Sequence, residues 1–185
     1  LGKIDIQGAG AAVFLERVYA NGWGSLPVGK ARYGLMLRED GFVMDDGTTS
    51  RLGDEHFLMT TTTANAAGVL QHMEFCHQCL WPGLDVHCVS VTEQWAQYSV
   101  AGPKAREVLA RLVDAEHAIT NAALPYMAAR EITVCGGVKA RLGDQGGDAA
   151  QGVIGVPQRR AGGDLGEHRE VIGQPDQQQG VDHRG

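Results

Sequence analysis

The residues best suited to chemistry are a pair of carboxylates, Asp45-Asp46, that follow the run Gly41-Phe42-Val43-Met44. The run has the apolar character of a strand fit for burial, so the pair sits where a strand meets covered space. A carboxylate in a half-buried pocket can accept a proton or hold a cationic nitrogen by charge. Successive strand residues face opposite sides, so only one of the two aspartates enters a given pocket. Thr49, four residues on, shares the face of Asp45, while Thr60 and Thr62 share a face on the next extended segment. Together they would make a wall of hydroxyls beside one acid, suited to the polar edge of a planar heterocycle. The alternative is an aspartate pair that ends a strand in a turn before Gly47.

Other clusters carry less. Cys76-His77-Gln78-Cys79 has zinc-like spacing, and on a helix His72, Cys76 and Cys79 would share one face. A structural zinc site takes four ligands, usually in two paired clusters, and the chain has no second CxxC and no HxxxH. Cysteine is also a common small buried residue of helices. No metal is expected. Gly8-Ala9-Gly10-Ala11-Ala12-Val13 resembles the start of a dinucleotide fingerprint, but Val13 stands at the third glycine position and no acidic ribose partner follows a second parallel strand. The segment reads as a helix entry. The seven histidines pair with no nucleophile motif, and no GxSxG elbow occurs, which leaves a triad hydrolase without support.

Positioning these groups falls to a series of hairpins and helices. Lys3–Gln7 alternates as a strand, and Gly8 and Gly10 open a helix over Ala11–Tyr19 with an apolar stripe at Val13, Leu15 and Val18. Ala31–Leu37 and Phe42–Arg51 read as strands joined by the turn Glu39-Asp40-Gly41. His56–Thr63, rich in threonine, favours extended structure. Ala64–Leu80 is the longest predicted helix, ended by Trp81-Pro82-Gly83. Two strands, Asp85–Thr92 and Gln94–Ala101, precede a helix from Gly102-Pro103 to Val113. Arg130–Val134 and Val138–Arg141 form a hairpin around Gly136-Gly137. Hairpins mixed with helices, without strict βαβ alternation, predict an α+β fold with a largely antiparallel sheet and packed helices.

Net charge is −6 with sixteen basic residues spread thinly, so no basic stripe exists to track nucleic acid. No apolar run approaches the roughly 20 residues of a membrane span. Leu1-Gly2-Lys3 leads straight into strand-like sequence without a secretory leader, and the missing initiator methionine is what a cut-out piece would show. Four cysteines without secretory context are expected to be reduced, in a cytoplasmic protein. All eleven aromatic residues lie at or before Tyr126, whereas Gly143–Gly185 holds eleven glycines and seven glutamines. Such a tail has little apolar surface to offset the entropy of ordering. Residues 1–141 are therefore expected to fold, and 142–185 to be poorly ordered or foreign to the original fold.

Ala31-Arg32-Tyr33-Gly34-Leu35-Met36-Leu37 and Gly41-Phe42-Val43-Met44-Asp45-Asp46 resemble the glycine-cleavage T-protein (aminomethyltransferase) family, whose members carry a tyrosine strand, a turn and a Gly-Gly-Val-Leu-Asp-Asp-like strand. His56-Phe57-Leu58-Met59-Thr60-Thr61-Thr62-Thr63-Ala64-Asn65, Ser90–Gln97 and Val100–Ala105 narrow the resemblance to the alpha subunits of heterotetrameric sarcosine oxidases. It runs from residue 1 to about 141. The resemblance implies the T-protein folate-binding fold, here incomplete. It also implies a part in oxidising sarcosine to glycine, with the one-carbon unit passed to tetrahydrofolate as 5,10-methylenetetrahydrofolate or released as formaldehyde, and oxygen reduced to hydrogen peroxide. Partner subunits are implied, as are FAD, FMN and NAD in the parent complex, on parts outside this segment.

Carried over by matching position, the resemblance makes Asp45 the catalytic carboxylate and Tyr33, Leu37, Asp45, Thr49, Thr60 and Thr62 the folate contacts. Thr62 stands where many T-proteins have an asparagine, so a hydroxyl replaces an amide. After Lys139-Ala140-Arg141 the chain leaves the family pattern, and its glycine-, glutamine- and arginine-rich tail resembles an out-of-frame translation. One wall of a pocket that the family builds from its whole fold would bind folate weakly, so the isolated chain is expected to be inactive. The alternatives are a free aminomethyltransferase acting on a lipoyl carrier, or a catalytically silent interaction fragment.

Overall fold

The computed structural model describes residues 1–144 and 152–157. Its order is β1 (Gly2–Gln7), α1 (Ala11–Val18), β2 (Lys30–Leu37), β3 (Val43–Gly53), β4 (His56–Thr61), α2 (Ala66–Phe75), β5 (His87–Ser90), β6 (Trp95–Val100), α3 (Ala105–Ala110), β7 (Ala129–Val134), β8 (Val138–Asp144) and β9 (Gly152–Pro157). Two antiparallel sheets result, with strand orders β2-β3-β4-β1-β5 and β6-β9-β8-β7. The fold is α+β, as the hairpin pattern predicts.

Each sheet covers one face with its own core. Under the first, Ile4, Ile6, Met36, Phe57 and Met59 meet Phe14, Leu15 and Val18 of α1 and Val69 and Met73 of α2. Burial of large side chains such as Phe14, Trp23 and Phe57 contributes about 1.5–3 kcal/mol each. Under the second, Leu109 of α3 packs on Ile132, Val134, Ala140 and Leu142. The other faces of the sheets look at each other across a slot of about 60 Å³, bordered by Lys3, Thr48, Thr60, Trp95, Gln97 and Arg141. Arg141 spans this junction. Its guanidinium lies 4.3 Å from the Trp95 ring centre, 3.6 Å from Asp5 Oδ2 and 3.2 Å from Glu131 Oε1.

Several expectations change at this level. In α1 the buried stripe is Ala11, Phe14, Leu15 and Val18, and Val13 faces outward; the 3.6-residue period places 13 off the 11-14-15-18 line. The long helix is three segments: a 3₁₀ turn at Thr63–Asn65, α2, and a π turn at Cys76–Leu80 closed by the Trp81 N–H on the Cys76 carbonyl at 2.9 Å. The wider π turn breaks the spacing expected to align His72, Cys76 and Cys79. His72 Nε2 and Cys76 Sγ meet at 3.5 Å while Cys79 is exposed. Among the described residues no three His, Cys, Asp or Glu side chains converge on a metal position. Burial pushes the Cys76 thiol up, and burial with Glu74 nearby pushes Cys88 to about 12, so neither offers a ready thiolate. The helix expected from Gly102-Pro103 to Val113 is limited to α3.

The boundary expected after residue 141 falls inside β8, which pairs with β7 through Gly143. Residues 152–157, expected to be poorly ordered, form β9 between β6 and β8. Without β9, β6 and β8 would each have an unpaired edge, and the run Val153-Ile154-Gly155-Val156 is a β-prone stretch within that glycine-rich region. The rest of the tail lies outside the described residues. Among the described residues no helix is long and apolar enough to cross a membrane.

Candidate functional site

The helix entry at Gly8–Gly10 is closed to a phosphate. Gly10 N–H donates to the Asp85 carbonyl at 2.8 Å, and a Cβ at Gly8 would lie 2.3 Å from the same oxygen. The glycines serve close packing of β1, α1 and the Asp85 loop.

The candidate site is instead an open cavity of about 710 Å³ at the end of β3 and β4, bordered by Asp46, Gly47, Thr48, Thr60, Thr62 and Gln97. Its carboxylate is Asp46. The Tyr33 hydroxyl on β2 donates to Asp46 Oδ2, and this bond, ahead of any burial, raises the Tyr33 phenol above its ordinary range. Tyr33 is 49% exposed. Beside it on the same face stand Leu35, opposite Asp46, and Leu37, opposite Val43, all open to solvent.

Asp45 points the other way. It is 5% exposed, stands opposite the core residue Met36, and its Oδ2 accepts from the Thr62 N–H at 3.2 Å. The cause is a β-bulge: Leu37 pairs with Val43 but Met36 with Asp45, leaving Met44 as the extra residue. A plain hairpin continued from the Leu37–Val43 pair would put Asp45 opposite Leu35 on the Tyr33 face. One inserted residue swaps the two aspartates between faces. Asp45 therefore closes the strand ends, and Asp46 is the acid that the cavity presents.

The remaining expected contacts separate in the same way. Thr49 does share the face of Asp45, and that face is the core: Thr49 is 0% exposed. Among the described residues its Oγ1 has no partner of hydrogen-bond geometry, although Tyr19 is a neighbour. The Tyr19 hydroxyl instead meets Met59 Sδ at 2.6 Å, and burial drives its phenol strongly upward. Thr60 lines the cavity, with its hydroxyl engaged by the backbone of Thr48. Thr62 follows the end of β4 and lines the cavity too. Leu37 is not among the cavity residues. Three residues absent from the sequence-based site belong near it: Asp46, Gly47, and Asn65, whose Nδ2 donates to the Met44 carbonyl at 2.8 Å. The family resemblance set Tyr33 and the aspartate pair in one site; the bulge that chooses between the two aspartates leaves no mark in composition.

Comparison with known proteins agrees with this architecture. The GCVT N-terminal domain model matches residues 1–144. The chain is 62% identical over 137 residues to the sarcosine oxidase subunit alpha of Rhizobium meliloti (strain 1021), covering 74% of this chain and 14% of that protein. It thus spans about one seventh of that relative's length. Among solved structures, the glycine cleavage system aminomethyltransferase T from Bartonella henselae superposes with a TM-score of 0.68 at 21% identity, over 84% of this chain and 39% of that one. A chain of the heterotetrameric sarcosine oxidase from Corynebacterium sp. U-96 superposes with a TM-score of 0.59 at 13% identity, over 84% of this chain and 71% of that one. At those identities the two structures speak for the fold alone. With its family model matched from Leu1 to Asp144, across both sheets, the chain belongs to the GCVT N-terminal domain family.

Proposed function

We propose that this chain supplies one wall of a tetrahydrofolate site in a sarcosine oxidase of the alpha-subunit type, an assembly that oxidises sarcosine to glycine and passes the one-carbon unit to the folate or releases it as formaldehyde. The observation that carries this reading is the Asp46 carboxylate, held by Tyr33 at the mouth of an open cavity. The residues fit such a ligand: a carboxylate for ring N–H groups, and the apolar faces of Leu35 and Leu37 beside it for a flat heterocycle. Tetrahydrofolate brings the nucleophilic nitrogen that takes up the one-carbon unit. The protein's part is to orient that nitrogen and, at Asp46, to receive the proton it loses. Tyr33 holds Oδ2 of Asp46, and the second carboxylate oxygen is the one that would receive that proton. No covalent protein nucleophile is required.

FAD, FMN and NAD belong, in this proposal, to other parts of the assembly and to partner subunits, and the working location is the cytoplasm. A free aminomethyltransferase is the second reading. The 62% identity to the Rhizobium alpha subunit, against 37% to the aminomethyltransferase of Thermus thermophilus, favours the first. Calorimetric titration of the chain with tetrahydrofolate tests the site: binding should be weak, and lost in Asp46→Ala. Equal heats from the two proteins would remove the folate reading. No sarcosine turnover is expected from the chain without partner subunits.

A further inference from the structure

Strands β3 and β4 pair regularly from Arg51–Phe57 to Thr49–Met59. Toward the cavity, side chains take over from the ladder. Thr48 N–H donates to Thr60 Oγ1 at 3.0 Å, and that hydroxyl donates to the Thr48 carbonyl at 3.0 Å. In a regular antiparallel pair, Thr48 would exchange both bonds with the Thr60 backbone. A single hydroxyl has been inserted in their place. Beyond it, Asp45 Oδ2 holds the Thr62 N–H and Asn65 Nδ2 holds the Met44 carbonyl. Gly47 lies in the same seam, where a Cβ would stand 2.1 Å from the Thr60 carbonyl oxygen. The backbones leave no room for a side chain at Gly47, and one hydroxyl bridges them at Thr48. Asp46 is the next residue along the strand.

We propose that Thr60 is a positioning residue for the Asp46 carboxylate, its hydroxyl acting as the spacer that fixes where β3 carries Asp46 into the cavity, an inference that rests on the reading of Asp46 as the cavity's acid. Valine matches the shape of threonine but makes neither bond, leaving both polar groups of the buried Thr48 without their partner. The strands must then close or slip at Thr48, which pairs on its other side with Tyr33 of β2, so the contact between the Tyr33 hydroxyl and Asp46, two residues along β3, is disturbed with it. Serine keeps the hydroxyl.

The Tyr33 phenol reports the outcome, because its elevated titration arises first from the bond to Asp46. Ring-carbon NMR titration of Tyr33 in the full chain should show a fall toward the ordinary phenol value in Thr60→Val and a return in Thr60→Ser. Tetrahydrofolate affinity should drop about tenfold in Thr60→Val, as expected for losing a hydrogen-bonded spacer beside the site, and recover in Thr60→Ser. A folded Thr60→Val chain whose Tyr33 titrates as in the unaltered protein would overturn the proposal. Should Thr60→Val not fold, amide exchange of the unaltered chain decides: a Thr48 N–H as protected as the ladder amide of Ser50 supports the inserted hydroxyl, and an unprotected one refutes it. If Asp46→Ala retains full folate affinity, the functional reading fails while the Tyr33 titration still judges the seam.

Discussion

A carboxylate does chemistry only where a ligand can reach it, and the two adjacent aspartates differ in this respect. Asp46 gives one oxygen to Tyr33 in an open cavity, while Asp45 is enclosed and satisfies the Thr62 N–H. Asp45→Ala should therefore act on stability. It strands a backbone donor in a part-buried position, at a cost of about 1–2 kcal/mol, measurable as a lower chemical-denaturation midpoint. A midpoint equal to the unaltered chain's would contradict the closing role. Gly47→Ala forces a Cβ against the Thr60 carbonyl oxygen, and backbone cannot yield as a flexible side-chain tip would. We expect a loss of about 1–3 kcal/mol; thermal melting at the unaltered temperature would show that the seam has room after all.

Between elements, the turn joining β7 to β8 carries three successive left-handed residues, Cys135, Gly136 and Gly137. The Asp114 carboxylate stabilises it, taking the Gly136 and Gly137 N–H groups at 2.8 Å each. These bonds, the Gly136 one foremost, hold the Asp114 carboxyl below its ordinary range. A carboxylate whose folded value is depressed lends stability above its unfolded value and loses it as pH falls through the folded one. Amide exchange at Gly136 and Gly137 should thus quicken as acid is added below the ordinary aspartate range, and Asp114→Asn should flatten that dependence. Exchange at these two amides that follows only the intrinsic pH trend would discount the clamp.

At the scale of the whole molecule, two sheets with separate cores must keep a fixed relation if the cavity at their shared end is to have a shape. Arg141 of β8 is the group placed to do this, stacked on Trp95 of β6 and paired with Asp5 of β1. A guanidinium stacks as a plane, which an ammonium cannot reproduce. Arg141→Lys should destabilise by about 0.5–1 kcal/mol. In a double-mutant cycle with Trp95→Leu the two losses should be less than additive, because each removes the same contact. Strict additivity would mean that the stacking contributes nothing.

Much of this was legible along the chain. Alternation in Lys3–Gln7, the Glu39-Asp40-Gly41 turn and the threonine-rich run His56–Thr63, whose strand stops at Thr61, place strands close to their observed limits, because patterns of period two and tight turns are local properties. The family resemblance likewise located the aspartate pair and its tyrosine. Three matters were decided only by tertiary structure. A one-residue bulge at Met44 turned Asp45 inward and Asp46 outward, since register depends on the partner strand and a slip of one residue exchanges the faces. Thr60 proved to be bonded to Thr48 across the seam, which no intrinsic preference of threonine foretells. Residues 152–157, set in a glycine-rich stretch, became a strand between β6 and β8, because two waiting edges supply hydrogen bonds that this segment could not make alone.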